Sequence, residues 1–285
     1  MTATTAFSTG TTQRVHAANG IDYAFRRVGA SVAVDVPPLV LLQHFRGNLD
    51  NWDPALVEPL AAEREVIMFN NTGVGATSGR TTSTVAEMAR DAIVFLEALE
   101  LEQVDLLGFS LGGFVAQDVA LTRPALVRRL ILAGTGPKGA PRMHGWRDDI
   151  ADHSRRTPPT PEDLLYIFFA HTETSAARGV EFLRRVSART EDRDRPTSIQ
   201  TRDAQYDAVL EWGIPDIAAL QRLTGIRQPT LVLQGDDDLM IPTPGSHTLA
   251  GLIPDAQLRI YPDAAHASLF QYPDQVAADI AAFLR

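Results

Sequence analysis

Short apolar runs alternate with amphipathic stretches along most of the chain. The apolar runs predict eight strands, over residues 14–16, 21–27, 39–43, 65–69, 104–107, 127–132, 230–234 and 257–261. The amphipathic stretches predict helices over residues 54–62, 84–99, 111–122, 243–252 and 273–284. This alternation is typical of a mostly parallel sheet with helices on both faces. The Asn19-Gly20 pair predicts a hairpin with a two-residue turn at an antiparallel edge of that sheet.

The alternation breaks down between residues 138 and 213. This segment is polar, rich in arginine and interrupted by prolines, with helical fragments over residues 161–170 and 176–188. We therefore predict a helical cap over residues 138–213, inserted into an α/β core formed by residues 13–137 and 214–285. Residues 1–12 are rich in threonine, alanine and serine and predict a flexible N-terminal tail.

A glycine-flanked serine stands where a predicted strand gives way to a predicted helix. The sequence is Gly108-Phe109-Ser110-Leu111-Gly112, with small residues two places before and two places after the serine. Such a turn exposes a serine hydroxyl at the end of a strand, the arrangement called a nucleophile elbow. The alternative is that the two glycines simply mark a strand end and a helix start.

A base and a carboxylate follow in the order that a serine nucleophile needs. Asp236, Asp237 and Asp238 come directly after one predicted strand, and His266 comes shortly after the next. A serine hydroxyl is a weak nucleophile until an adjacent base accepts its proton, and that base needs an orienting group. Since three adjacent carboxylates cannot all orient one imidazole, the residues alone leave the choice among them open.

The order serine, aspartate, histidine is that of the α/β hydrolases and differs from the orders in chymotrypsin and subtilisin. On these motifs and on the segment from Pro229 to Pro242, the chain resembles the α/β-hydrolase superfamily from about Val15 onward, the cap excepted. It is similar to single-domain serine esterases and lactonases and to cofactor-free haloperoxidase-like perhydrolases. The resemblance implies a mostly parallel eight-stranded sheet with an inserted cap, and it implies Asp238 as the triad acid, with Asp236 as the alternative.

Two N–H donors normally stabilise the negative oxygen that forms during acyl transfer. Leu111, directly after the candidate nucleophile, supplies one of them. The resemblance implies a second donor in the loop after the third strand, and aligning the strand ends places it at Phe45. The chain departs from the family here. Relatives commonly carry His-Gly followed by an apolar residue, whereas in this chain His44 directly precedes Phe45 and the glycine comes later, at Gly47.

Five further residues are candidates for substrate binding: His44, Arg46, Trp52, Tyr166 and Phe169. Each has a plainer alternative. His44 fits a histidine at a loop end that is bonded to neighbouring backbone, and Arg46 fits a solvated loop residue. The aromatic residues fit side chains that hold a small cap together.

Composition narrows the range of partners and compartments. The chain has 285 residues, a formal net charge of −9 and no cysteine. The negative charge argues against nucleic acid and anionic membranes, and the absence of cysteine rules out disulfides and fits a cytoplasmic protein. No apolar run approaches the roughly 20 residues that span a bilayer. The spacing of the histidines predicts no metal site, and we expect no cofactor. The sequence leaves the oligomeric state open.

Together these features predict a serine hydrolase that acts on esters or lactones of medium-sized, mostly apolar character through an acyl-enzyme intermediate. Two alternatives use the same triad, namely perhydrolysis and hydrolysis of a carbon–carbon bond. A third alternative belongs to a different class, a non-catalytic ligand-binding protein of the same fold.

Overall fold

The eight predicted strands form one sheet. A computed structural model describes residue 7, residues 10–29 and residues 36–285. The strands are β1 (Gln13–His16), β2 (Asp22–Val28), β3 (Leu39–Leu42), β4 (Val66–Phe69), β5 (Val104–Phe109), β6 (Val127–Ala133), β7 (Thr230–Gly235) and β8 (Ala256–Tyr261). Their order across the sheet is β1-β2-β4-β3-β5-β6-β7-β8. Strand β2 pairs antiparallel with β1 and β4, and all other pairs are parallel. The predicted fold class is confirmed.

The hairpin at the antiparallel edge forms, but the predicted two-residue turn is wrong. His16 pairs with Asp22, so five residues connect the two strands. The Gly20 N–H donates to the Ala17 carbonyl over 2.9 Å, and Gly20 has a φ of 79°. Asn19 and Gly20 are therefore the third and fourth residues of a turn that begins at Ala17, where glycine is favoured at the fourth position.

Helices cover the sheet and fill the segment after β6. They are α1 (Pro54–Ala61), α2 (Val85–Ala98), α3 (Leu111–Thr122), α4 (Asp148–Arg155), α5 (Pro161–Phe168), α6 (Glu173–Val186), α7 (Ile199–Trp212), α8 (Ile217–Gln221), α9 (Pro244–Leu252), α10 (Ser268–Gln271) and α11 (Pro273–Leu284). Helix α1 packs against α11, and α2 packs against α3. Helices α1, α2, α3, α9 and α11 lie where the sequence predicts them. The four residues of α10 are too few to show a helical period.

Four helices, α4 to α7, lie within residues 138–213, and the short α8 follows directly. We call residues 138–213 the cap segment, and the division of the chain into core and cap stays a prediction. Asp53, at the N-terminus of α1, binds Arg185 of α6, with 2.6 Å between Asp53 Oδ2 and Arg185 Nη2. This ion pair is one of the contacts that hold the cap segment against the sheet.

A second contact joins the cap segment to the loop after β4. Asn70 Nδ2 donates to Asp194 Oδ2 of the cap segment over 2.7 Å. Asp194 Oδ1 accepts from the Ala76 N–H over 2.9 Å. An aspartate at position 70 would have no N–H to donate, so the asparagine amide is what holds this half-buried carboxylate. Burial raises the pKa of Asp194.

The predicted tail falls mainly outside the described residues, since 1–6 and 8–9 are not among them. Phe7 is 6% exposed, and the Thr12 N–H donates to Asp192 Oδ2 of the cap segment over 2.7 Å. These described residues of the tail thus pack against the protein. Within the described ranges, every helix is too short or too polar to cross a bilayer.

Candidate active site

Ser110 occupies a strained turn between β5 and α3. Its backbone angles are φ 57° and ψ −120°, and its N–H donates to the Ala133 carbonyl over 2.9 Å. Such a conformation is unfavourable for a residue other than glycine, and it persists only where the surrounding structure enforces it. A Cβ atom at Gly108 would lie 2.3 Å from the Gly112 carbonyl oxygen, and one at Gly112 would lie 2.1 Å from the Leu42 carbonyl oxygen. The turn therefore needs glycine at both predicted positions.

His266 links Ser110 to Asp238. Its Nε2 lies 2.8 Å from Ser110 Oγ, and its Nδ1 lies 2.8 Å from Asp238 Oδ2. All three residues are at least 95% buried. Because an ionised carboxylate only accepts hydrogen bonds, Nδ1 carries the proton and Nε2 presents its lone pair to the serine hydroxyl.

Backbone amides fix the orientation of the Asp238 carboxylate. Its Oδ1 accepts from the N–H groups of Met240 and Ile241 over 2.8 Å and 2.9 Å. Its Oδ2 accepts from Gln234 Nε2 over 3.0 Å as well as from His266. Each carboxylate oxygen thus accepts two hydrogen bonds. The carboxylate cannot rotate away from the imidazole without breaking these hydrogen bonds.

The neighbouring aspartates face elsewhere. Asp236 and Asp237 are exposed, and Asp236 Oδ1 accepts from the Ala264 N–H over 3.1 Å. Of the three adjacent carboxylates, the structure brings Asp238 to the histidine. Asp236 serves to hold the loop that carries His266.

The two candidate oxyanion donors lie on adjoining loops. Leu111 begins α3, so its N–H has no acceptor within the helix. The loop after β3 turns through residues 44–47, with the Gly47 N–H donating to the His44 carbonyl over 3.0 Å. Because a trans peptide directs its N–H opposite to its carbonyl, the Phe45 N–H points away from that turn. Among the described residues, neither amide has a protein acceptor.

His44 is buried beside the candidate nucleophile and is held by the backbone. It is 5% exposed, its Nδ1 donates to the Phe45 carbonyl over 2.8 Å, and its ring packs edge-on against Phe109 and Phe168. Burial lowers the pKa of His44 to about 3, although the hydrogen bond to the Phe45 carbonyl opposes this shift. His44 is therefore a neutral, backbone-bonded histidine in the wall of the site.

We expect His44 to make the protein less stable in acid. Its folded pKa of about 3 lies below the ordinary value of 6.5, so the unfolded chain binds the extra proton and stability falls as pH drops from about 6.5 toward 3. In His44→Asn, whose amide can still donate to Phe45, the loss of unfolding free energy between pH 7 and 4.5 should shrink by about 2 kcal/mol. Urea titrations across that range measure it.

The matched control for this experiment is His247→Asn, which changes an exposed histidine. It should leave the acid dependence unaltered. A His44→Asn variant with the same acid dependence as the unaltered protein would show that folding does not lower the pKa of His44.

A cavity of about 450 Å³ opens between the sheet and the cap segment. Ser110 and His266 line it, as do His44 and Arg46 among the predicted substrate contacts. Its apolar wall is formed by Phe45, Leu164, Ile167, Phe168 and Met240. Its polar wall includes Asp50, His153, Asp163, Arg193 and Asp194. The cavity thus gives a substrate access to the candidate nucleophile.

The other three predicted substrate contacts, Trp52, Tyr166 and Phe169, do not line this cavity. Trp52 is fully buried and packs against Phe270, with 6.2 Å between the ring centroids. Phe169 is 2% exposed and packs against Phe182. The Tyr166 hydroxyl donates to Asp149 over 2.9 Å. These side chains are used in packing and in holding the cap segment together.

The sequence predicts a helical fragment over residues 161–170 without singling out the face of α5 that meets the cavity. Leu164, Ile167 and Phe168 follow the spacing i, i+3, i+4 of a single helical face, and all three line the cavity. That signal was available in the sequence. Asp194 had no such signal, because it lies in an irregular loop between α6 and α7.

Comparison with known proteins adds the family. The family model of the alpha/beta hydrolase fold matches residues 37–273. The chain belongs to the alpha/beta hydrolase family. The relatives of this alpha/beta hydrolase carry names of several different hydrolases.

Two curated relatives and one solved structure illustrate this range. The chain is 31% identical over 250 residues to a poly(3-hydroxyalkanoate) depolymerase from Ectopseudomonas oleovorans, covering 87% of this chain and 84% of that protein. It is 28% identical over 206 residues to a 2-hydroxymuconate semialdehyde hydrolase from Pseudomonas putida, covering 70% and 68%. An alpha/beta hydrolase fold protein from Chitinophaga pinensis matches with a TM-score of 0.91 and 40% identity, over 98% of each chain.

Proposed function

We propose that this alpha/beta hydrolase cleaves carboxylic esters or lactones through an acyl-enzyme on Ser110. The observation that carries the proposal is the continuous hydrogen-bonded chain from Ser110 through His266 to Asp238 at the wall of a 450 Å³ cavity. A buried serine, imidazole and carboxylate in this geometry form the arrangement used for nucleophilic acyl transfer on several unrelated folds.

In the proposed reaction, His266 Nε2 takes the proton from Ser110 Oγ as the oxygen attacks the substrate carbonyl. The N–H groups of Phe45 and Leu111 stabilise the negative oxygen of the tetrahedral intermediate, and Asp238 stabilises the imidazolium. The intermediate collapses as His266 protonates the leaving alcohol. Water then attacks the acyl-enzyme by the same steps, which frees the acid and restores Ser110.

The proposed substrates are of medium size and have a mostly apolar acyl group. The apolar wall formed by residues of α5 with Phe45 and Met240 supports this, because binding is favoured when the apolar surface of a substrate leaves water and packs against such a wall. One relative is named for depolymerising a poly(3-hydroxyalkanoate), which is a polyester. Another is named for a semialdehyde substrate, which keeps carbon–carbon bond hydrolysis as the second candidate reaction.

The proposal is tested with a panel of 4-nitrophenyl esters from acetate to decanoate and of γ- and δ-lactones. We expect the protein to hydrolyse esters of intermediate chain length best, and Ser110→Ala to be inactive on every one that the parent cleaves. Preferred cleavage of a dienoic ketone would replace ester hydrolysis by carbon–carbon hydrolysis, and peracid formation with hydrogen peroxide would indicate a perhydrolase. Parent and variant that both leave the whole panel intact would contradict the proposal.

A further inference from the structure

Arg46 is a cation of the cavity wall that lacks a carboxylate partner. Its Nη1 donates to two main-chain carbonyls, those of Ser154 at 2.9 Å and Arg156 at 2.8 Å. Among the described residues, no carboxylate oxygen lies within 4.0 Å of its guanidinium. The other arginine of this wall differs, since Arg193 lies 3.7 Å from Asp50.

The guanidinium has hydrogen-bonding capacity left over. Arginine offers five N–H donors, and the two carbonyls engage only Nη1, so Nε and Nη2 have no acceptor within the described part of the chain. Neutral carbonyls do not cancel its charge, and partial burial lowers the pKa of Arg46. Asp163 and Asp203 act on Arg46 from beyond 4.0 Å and partly oppose this shift. A guanidinium that has lost part of its water and has free N–H donors gains most from an anion with two acceptor oxygens, which a carboxylate provides.

The backbone holds this cation in a fixed place. Arg46 has a φ of 62°, its N–H donates to Gln205 Oε1 over 2.7 Å, and its carbonyl accepts from Thr197 Oγ1 over 2.6 Å. A fixed guanidinium binds a ligand at a lower cost in conformational entropy than a free side chain does. Arg46 is also the residue next to Phe45, so it lies close to the reacting carbonyl in the proposed function.

An arginine-rich groove adjoins the cavity beside Arg46. Arg155, Arg156 and Arg202 line this groove, and the chain at residues 154–156, which Arg46 contacts, separates it from the cavity. Carboxylates stand among these guanidiniums. Arg155 and Arg202 lie 3.8 Å and 2.7 Å from Asp203, and Arg156 lies 2.8 Å from Asp163. Among the arginines that line the cavity or the groove, Arg46 is therefore the one whose guanidinium has no carboxylate oxygen within 4.0 Å in the described part of the chain.

We propose that the substrate carries a carboxylate a few carbon atoms from its scissile carbonyl, and that Arg46 binds this carboxylate while the apolar wall covers the chain between them. The inference rests on the proposed function, which it deepens by naming the substrate class. A mostly apolar substrate with one anionic end fits both the apolar wall and the unpaired guanidinium.

The test compares two esters that differ only at the end of the acyl chain. They are 4-nitrophenyl pentanoate, which ends in a methyl group, and mono-4-nitrophenyl glutarate, which ends in a carboxylate. In Arg46→Met, kcat/KM for the glutarate should fall by roughly tenfold more than for the pentanoate, because a charge-assisted hydrogen bond is lost. Arg46→Lys should recover part of the difference. Arg259→Met, which removes an exposed arginine at the β8 edge, should change neither ester.

Salt and direct binding give independent readouts. The preference for glutarate should weaken between 0.05 and 0.5 M NaCl, because salt screens the attraction between Arg46 and the carboxylate of the substrate. Free glutarate should bind Ser110→Ala in calorimetry and bind at least ~10-fold more weakly when Arg46→Met is added. If Arg46→Met lowers both esters equally and leaves glutarate binding unchanged, Arg46 only ties the loop to the cap segment and the inference is overturned. If neither ester is cleaved but glutarate binding depends on Arg46, the proposal of ester hydrolysis is contradicted, whereas the binding of a carboxylate by Arg46 is supported.

Discussion

Ser110→Ala and His266→Ala should each lower kcat by at least about 10³-fold, while the protein stays folded. In the proposed mechanism the serine supplies the oxygen that forms the acyl bond, and Nε2 of His266, 2.8 Å from that oxygen, takes its proton. Because the two act in one step, the double variant should lose no more than about the larger single loss. Steady-state rates on the best ester, together with circular dichroism and thermal unfolding, measure both points.

Matched controls separate loss of the site from general damage. Ser187→Ala and His247→Ala alter exposed residues that do not line the cavity, and they should keep the parent rate. Losses in Ser110→Ala and His266→Ala that multiply in the double variant would mean that the two residues act independently. Substantial turnover by Ser110→Ala would rule out the covalent mechanism.

Asp238→Asn should lower kcat by about 10³-fold or more, since the wrong imidazole tautomer is fixed. The Met240 and Ile241 amides would keep the side-chain oxygen of the asparagine, as they hold Asp238 Oδ1 now. Its NH₂ group would then face His266 Nδ1 and force the proton onto Nε2. A protonated Nε2 can donate to Ser110 but cannot accept its proton.

Asp236→Asn and Asp237→Asn are the matched controls for this variant. Both residues are exposed, so each substitution should change kcat by less than about threefold. Thermal unfolding checks that the loop remains folded, because Asp236 holds the Ala264 N–H. A severe loss in Asp236→Asn beside a nearly unchanged Asp238→Asn would assign the orienting role to Asp236.

The sheet and the candidate triad could be predicted from sequence because their signals are local. Apolar runs mark strands. Glycines flank Ser110 because a Cβ atom at either position would lie 2.1 to 2.3 Å from a main-chain carbonyl oxygen. Asp238 needed more than local signal, since Asp236 and Asp237 have the same chemistry. What distinguishes Asp238 is the pair of backbone donors at residues 240 and 241, which appears only in three dimensions.

The cavity could not be predicted to the same extent. Tyr166 lies on α5 and Phe169 directly follows it, and the side chains of both pack within the cap segment. Phe168, between them in sequence, lines the cavity instead. Which side of a short helix faces a site depends on how the cap segment docks. That docking depends on contacts between residues distant in sequence, such as Asn70 with Asp194, which no local pattern reveals.

The length of the hairpin loop between β1 and β2 also depends on contacts that the local sequence does not reveal. Asn19-Gly20 correctly indicates a reversal of the chain, but the same dipeptide serves more than one turn. The pairing of His16 with Asp22 decides the loop length, and it is set by the register of the whole β1-β2 ladder.

The most direct test of the acyl-enzyme is to find the atom that becomes modified. The protein is incubated with a fluorophosphonate, which reacts with activated serines, and its peptides are then examined by mass spectrometry. We predict one adduct, on the peptide that contains Ser110, formed far more slowly in His266→Ala and suppressed by a competing ester. No adduct on the unaltered protein, or an adduct that forms equally fast on Ser110→Ala, would contradict the account.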